Sequence, residues 1–378
     1  MAVRTTSVVD GGASSHDGAR VGQASAPDRL AEVRFRVMGT DAHVAVVVSE
    51  PGDRSSAGEV DGGARQLGSG LDPSVAAELE RTSLLDLAVA RLDRLDATWS
   101  RFRSDSELST ANDNPGEWVG ISDDTAALVD RALMSCEVTG GRFDPTLLGE
   151  VVAAGYDRSL AGDGRPGPGP ATAVRSLEPQ LGAGNHRRRA VQLDRAGRRM
   201  RVEHGYGFDP GGIAKGFAAD LVVGELLAAG ADGACVNIGG DLRVGGDVDD
   251  GWTVAIEDPL RPDSDPIGRL SIAQGAVATS SRCRRRWTRS DGSVAHHLID
   301  PTTGAPARTE VLAVTVVAAH GWTAEALATA VFLAGPDGAE QVLGSAGATG
   351  VLVTARGPIA LPGFEEFLIG GDFGPRPR

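Results

Sequence analysis

The stretch Asp209–Gly246, DPGGIAKGFAADLVVGELLAAGADGACVNIGGDLRVGG, decides the fold class. Gly211 and Gly212 precede Ile213, Phe217, Leu221 and Val222, whose spacing places them on one side of a helix ending near Gly230. ACVNIGG, LRVGG and WTVAIEDP then read as three short strands, with a polar turn at Asp247–Gly251. Upstream, RFRVMGTDAHVAVVVS (Arg34–Ser49) alternates and then runs apolar, as a strand does. Ser74 is the expected cap of a long helix carrying Leu85, Val89, Leu92, Leu95 and Trp99 on one face. A second helix follows Ser122, with Ala126, Val129, Leu133 and Cys136 as its stripe and Gly140–Gly141 as its end. Downstream, LSIAQGAVAT and VLAVTVVAA read as strands, and a last helix spans about Thr323 to Ala334. Strands interleaved with helices give an α+β protein, with mixed or antiparallel sheets and packed helices. Residues 1–30 read as a disordered tail before one domain over 31–378, with flexible insertions near 50–72 and 159–190.

Composition narrows the function. Hydrophobic residues at 41% and charged residues at 23% are ordinary for a globular protein. With 4% aromatics and 52 glycines in 378 residues, the core must rely on aliphatic and small side chains. The net charge of −14 repels nucleic-acid phosphates, and the densest basic runs, Arg187–Arg189 and Arg284–Arg286, read as solvated surface. A nucleic-acid partner is therefore not expected. An anionic substrate would need a local cation, either a metal or a well-placed lysine. Cys136, Cys235 and Cys283 are odd in number and lack CxxC spacing, which fits a reducing compartment and no zinc site. MAVRTTSVVDGGASSHDGARVG has no apolar signal core, and no stretch approaches the roughly 20 apolar residues of a membrane span. Cytoplasmic residence without membrane insertion is the expectation.

Common nucleotide signatures are missing. GGIAKG lacks the P-loop spacing, no GxGxxG opens a helix after a strand, and DVDDG reads as a hairpin turn, not a calcium loop. Gly211–Gly212 at a helix start nonetheless offers free N–H groups and a positive dipole end to an anion, with Lys215 in the first turn. Alone, that pattern is an ordinary tight turn with a surface lysine. Glu325 and Thr329, four apart on a helix, share one face and supply the hard oxygens magnesium prefers. An acidic residue in a first turn, with Thr323 as its cap, is equally stabilised by the dipole alone. His297 precedes the turn Asp300–Gly304, whose Asp-Pro and Thr-Gly are common turn chemistry.

Several segments, taken in order, resemble the ApbE-like flavin transferase family. They are MGT (Met38–Thr40), SRFRSDSELS (Ser100–Ser109), GGRFDPT (Gly140–Thr146), DPGGIAKGFAAD with VNIGGDLRVGG, IEDP (Ile256–Pro259), AVATSS (Ala276–Ser281), HHLIDPTTG (His296–Gly304) and TAEALATAVF (Thr323–Phe332). The resemblance runs from about residue 34 to the C-terminus. It implies a T-fold-type single catalytic domain that binds FAD and uses magnesium, with manganese as the alternative.

The resemblance also implies roles. Asp209 contacts the flavin nucleotide and Lys215 lies beside it, while the Gly212 carbonyl, Glu325 and Thr329 hold the metal. Phe102 covers the flavin ring where the family often has Tyr. Arg142, Phe143 and Asp144 enter the nucleotide pocket, as do Met38, Thr40, Glu257, Ser280 and Ile299. His297 is the candidate general base, with His296 and Asp300 competing for that role. Glu325 stands where the family usually has Asp, one methylene shorter. The implied reaction moves FMN from FAD to a threonine hydroxyl of a protein bearing a Ser/Thr-rich motif, with AMP leaving. The rival readings are an FAD pyrophosphatase and a non-catalytic FAD-binding protein.

Overall fold

The computed structural model describes residues 19–22, 29–49, 73–159, 189–249, 251–289, 292–370 and 373. Its centre is an eight-stranded sheet with every neighbouring pair antiparallel. In order across the sheet these are β18 (Gly357–Ala360), β17 (Thr349–Thr354), β16 (Val311–Ala318), β11 (Gly275–Ser281), β8 (Asp241–Gly246), β7 (Gly233–Ile238), β3 (Thr40–Val47) and β2 (Leu30–Val37). The apolar runs are strands buried on both faces, so successive residues enter different cores. Val44 and Val46 of β3 join one core, and Ala45 and Val47 the other. In β16, Val314 and Val316 face the helices while Val317 faces away.

One face carries α5 (Ala214–Ala228) on β7 and β8, and α6 (Gly321–Gly344) on β11 and β16. α1 (Pro73–Trp99) lies against α5, β2 and β3. The other face is covered by β9 (Trp252–Ile256) and β10 (Gly268–Ile272), whose Trp252, Val254 and Leu270 pack on Cys235, Leu242 and Val277. α2 (Glu107–Asp113) and α3 (Asp123–Val138) adjoin a small sheet of β4 (Val119–Gly120), β6 (Arg199–Val202) and β5 (Val191–Asp194), while Val151 of α4 (Leu148–Ala153) packs with Ile299. Two short pairs, β12 (Arg286–Thr288) with β13 (Val294–His296) and β14 (Ile299–Asp300) with β15 (Ala305–Pro306), lie between β11 and β16 in the chain. The architecture is the α+β class expected from the sequence.

Local expectations needed correction. Ala19–Gly22 is not part of a disordered tail but a strand, β1, paired antiparallel with β9. The rest of that tail up to residue 28, the 50–72 insertion and residues 160–188 of the second lie outside the described residues. Asp247–Gly251 closes no hairpin, because β8 belongs to the central sheet and β9 to the covering one. LSIAQGAVAT is likewise two strands in two sheets, divided at Gly275, whose φ is +138°. The long helix includes Ser74 within it, and its buried stripe is Leu84, Ala88, Leu92, Leu95 and Trp99. Ser122 caps α3 as expected, accepting from Thr125 N.

α5 and α6 meet without side chains between them. A Cβ on Gly216 would lie 2.2 Å from the Gly321 carbonyl oxygen, and one on Gly321 would lie 2.4 Å from that of Gly216. The Asp220 carboxylate of α5 then accepts from Gly321 N at 2.8 Å and Trp322 N at 3.0 Å, capping α6 from the neighbouring helix. Thr323, the expected cap, sits inside the first turn. We predict that Gly216→Ala destabilises the protein by about 3 kcal/mol, because a backbone contact cannot rotate away. Chemical denaturation would measure it, and an unshifted midpoint would show that the crossing is not close in solution.

Candidate active site

The crossing of α5 and α6 sets the first turns of both helices beside one cavity of about 1160 Å³. Lys215 is buried there, its ammonium bridging two buried carboxylates, Asp241 and Glu325. The distance to Glu325 Oε1 is 2.5 Å, and Glu325 Oε2 accepts from Gly216 N at 2.8 Å. One ammonium against two carboxylates leaves the group one negative charge in excess. Burial, only partly offset by Lys215 and reinforced by Asp241, pushes the Glu325 carboxyl up to about 7. Burial penalises the Lys215 charge too, but Asp241 and Glu325 hold its pKa above the usual lysine value.

Two tight hairpins form the adjoining wall. Met38 (φ +51°) and Gly39 (φ +71°) join β2 to β3, and Gly239 (φ +62°) and Gly240 (φ +95°) join β7 to β8. Both central residues have positive φ, as the twist of a two-residue hairpin requires. The turns interlock: a Cβ on Gly239 would fall 2.6 Å from Thr40 Oγ1. Asp241, the first residue of β8, is thereby delivered to Lys215. From the other side, Asp209 N donates to Pro145 O at 2.8 Å, bringing GGRFDPT against DPGG. Phe143 and Thr329 approach Gly212 so closely that a Cβ there would lie 3.0 Å from the Phe143 ring and 3.6 Å from Thr329 Oγ1. Thr329 Oγ1 and Ser280 Oγ are 3.1 Å apart.

The flank is aromatic and cationic. The Arg101 guanidinium lies over Phe102 at 4.3 Å and Tyr156 at 4.6 Å, with an ion pair to Asp209 at 3.4 Å. Tyr156 in turn stacks on Trp287 at 5.5 Å. Ile299 packs with Leu147 and Val151 beneath them.

The two histidines separate cleanly. His296 uses both ring nitrogens on the backbone: Nε2 lies 3.1 Å from Ala307 O, and Nδ1 accepts from Leu298 N at 3.3 Å. It is structural. His297 faces the cavity, with Nδ1 enclosed and lacking a hydrogen-bond partner. Burial, followed by Arg285, His296 and Lys215, holds its pKa well below the usual imidazole value, so the ring is neutral.

The cavity therefore gathers Met38, Thr40, Phe102, Arg142, Phe143, Asp144, Asp209, Gly212, Lys215, Glu257, Ser280, His297, Ile299, Glu325 and Thr329. Asp300 is not among its lining residues. Its carboxylate accepts from Thr302 N at 2.8 Å and its carbonyl from Gly304 N, so it is occupied as a turn residue. The run Arg284–Arg286, expected on the solvated surface, lines the same cavity, with Arg284 ion-paired to Glu257. Sequence reasoning also passed over Arg101, Tyr156 and Asp241. Asp241 carried a signal, since it directly follows the Gly-Gly turn of a quoted motif.

Residues 38–353 match the model of the ApbE family. The chain belongs to the ApbE family. A relative from Treponema pallidum described as "FAD:protein FMN transferase" is 34% identical over 259 residues, covering 65% of this chain and 69% of its own. The crystal structure of the ApbE protein from Thermotoga maritima superimposes with a TM-score of 0.70 at 26% identity, covering 90% of this chain and all of the other. The apo form of Pseudomonas stutzeri flavinyl transferase ApbE gives 0.67 at 25% identity, covering 91% and 98%. Membership carries the enzyme class: like its ApbE relatives, the chain is a transferase. Among the described residues no helix is long and apolar enough to cross a membrane.

Proposed function

We propose that this chain transfers the FMN half of FAD to a threonine hydroxyl of an acceptor protein, releasing AMP, in a reaction that needs a divalent cation. The observation that carries the reading is the placement of a negatively unbalanced, hard-oxygen cluster and an imidazole with an unpartnered nitrogen in one cavity. The donor chemistry fits magnesium, with manganese as the alternative. No group of three His, Cys, Asp or Glu side chains suited to a metal occurs among the described residues, so the site would use mixed donors. Glu325, the Thr329 hydroxyl and the Gly212 carbonyl are those donors, and the excess charge around Glu325 favours a cation. When bound, the metal supplies charge neutralisation at the diphosphate.

The remaining work falls to the chain. Phe102 and Ile299 enclose the flavin, while Asp209, Arg142, Phe143 and Asp144 hold the nucleotide with Met38, Thr40, Glu257 and Ser280. The threonine oxygen attacks the FMN-side phosphorus and the bond to the AMP phosphate breaks. His297 Nδ1 takes the threonine proton. Cys136, Cys235 and Cys283 are not in disulfides, which supports a reducing compartment such as the cytoplasm.

The test is to incubate the protein with FAD, magnesium and an acceptor domain carrying a Ser/Thr-rich motif, then weigh the intact acceptor. A metal-dependent gain of one FMN moiety is expected. Free FMN and AMP beside an unmodified acceptor would make water the acceptor and the protein a hydrolase. Intact FAD would leave only binding.

A further inference from the structure

Arg101 is buried in the cavity wall, and three separate parts of the chain meet on it. Its guanidinium carbon lies 4.3 Å from the ring centre of Phe102, the next residue, and 4.6 Å from that of Tyr156, beyond α4. The two rings are 5.8 Å apart, so the cation and the rings close a triangle. Nη2 donates to the Tyr156 carbonyl at 2.9 Å, which fixes the backbone of that residue as well as its ring. Nε pairs with Asp209 Oδ2 at 3.4 Å, while Asp209 Oδ1 accepts from Gly211 N at 2.9 Å. Beyond Tyr156 the wall continues to Trp287, whose Nε1 donates to Ala154 O at 2.9 Å. One side chain therefore joins the aromatic wall to the glycine turn that begins α5. A buried guanidinium with partners on its edge and its faces has little freedom to move.

We propose that Arg101 is a positioning residue for the flavin half of the substrate, holding the Phe102 and Tyr156 rings and the Asp209 carboxylate in one fixed relation. The inference rests on the FAD-transfer reading, in which Phe102 covers the flavin ring and Asp209 contacts the flavin nucleotide. It adds the side chain that sets both. A planar ring system gains most from a wall that is already in place, because no side chain must be ordered when it binds. The roles within Arg101 are divided: its charge lies against the rings, and its edge spans the Tyr156 carbonyl and Asp209. Lysine has the charge but not the planar fork, so it cannot hold all of these groups together.

The experiment titrates the full-length protein with FMN, followed by flavin fluorescence, and separately with ADP, followed by calorimetry. Arg101→Met, which keeps a long side chain without charge or fork, is the first variant. Arg101→Lys is the second, and it decides by the same criteria if the methionine variant does not fold. FMN should bind Arg101→Met at least about tenfold more weakly than wild type, with less quenching of the bound flavin and with ADP affinity unchanged. Arg101→Lys should also bind FMN more weakly than wild type. Wild-type FMN affinity and quenching in either folded variant would overturn the proposal. So would an equal loss for ADP, which would mean that the arginine supports the fold as a whole and not the flavin side of the cavity. A wild-type protein that binds neither FMN nor FAD would sink the transferase reading itself, a pattern distinct from a loss confined to the variants.

Discussion

Glu325→Gln is expected to cut metal-dependent transfer by about 10³-fold while leaving the metal-free protein at least as stable as wild type. The amide keeps the shape and an oxygen for Gly216 N, but it removes the charge that a cation needs. It also relieves the buried excess of negative charge, leaving Lys215 with Asp241 alone as an ionic partner. pH gives a second readout. The Glu325 carboxyl is pushed from 4.5 up to about 7 in the folded state. A raised folded pKa means that the contribution is fully present below about 4.5 and is lost as pH rises through 7. Metal-free wild type should therefore melt higher at pH 5.5 than at pH 8, and Glu325→Gln should lack that part of the difference. Manganese binding, followed by electron paramagnetic resonance, should weaken in parallel. Full activity together with unchanged manganese affinity would remove Glu325 from the metal site.

What the sequence disclosed and what it concealed divide along physical lines. Strands buried on both faces were legible because continuous apolar runs such as VLAVTVVAA have little alternative in a chain this poor in aromatics. The site segments were legible as motifs, and fifteen residues from distant parts of the chain would not be gathered by composition or periodicity. Features set by another part of the chain were hidden. Asp220 caps α6 from α5, so local reading chose Thr323. Leu85 and Val89 read as the core side of α1, but the closely packed neighbours admit Leu84 and Ala88 one residue earlier. Arg284–Arg286 resembled a solvated run because charge in sequence says nothing about the cavity a loop will border. His296 ends β13 and His297 follows in the bend beyond it, so nothing local in the sequence says which of the two enters the cavity. Only the backbone partners of His296 distinguish them.

His297→Ala is expected to bind FAD with wild-type affinity and to transfer FMN about 10²- to 10⁴-fold more slowly. The base must hold a lone pair at working pH, and in the proposed reaction it is at His297 Nδ1, a buried atom with no hydrogen-bond partner in the protein. Because burial and the neighbouring cations depress its pKa well below 6.5, the neutral form persists as pH falls through that value. Wild-type kcat should accordingly show no imidazole inflection near pH 6.5, the acid limb lying lower. A limb at the ordinary imidazole pKa, absent from His297→Ala, would keep the role but contradict the buried, cation-flanked environment. An unchanged rate in the variant would give the threonine proton to a carboxylate of the Lys215 cluster. Asp300 is the less well placed alternative, because it does not line the cavity and its carboxylate accepts from Thr302 N.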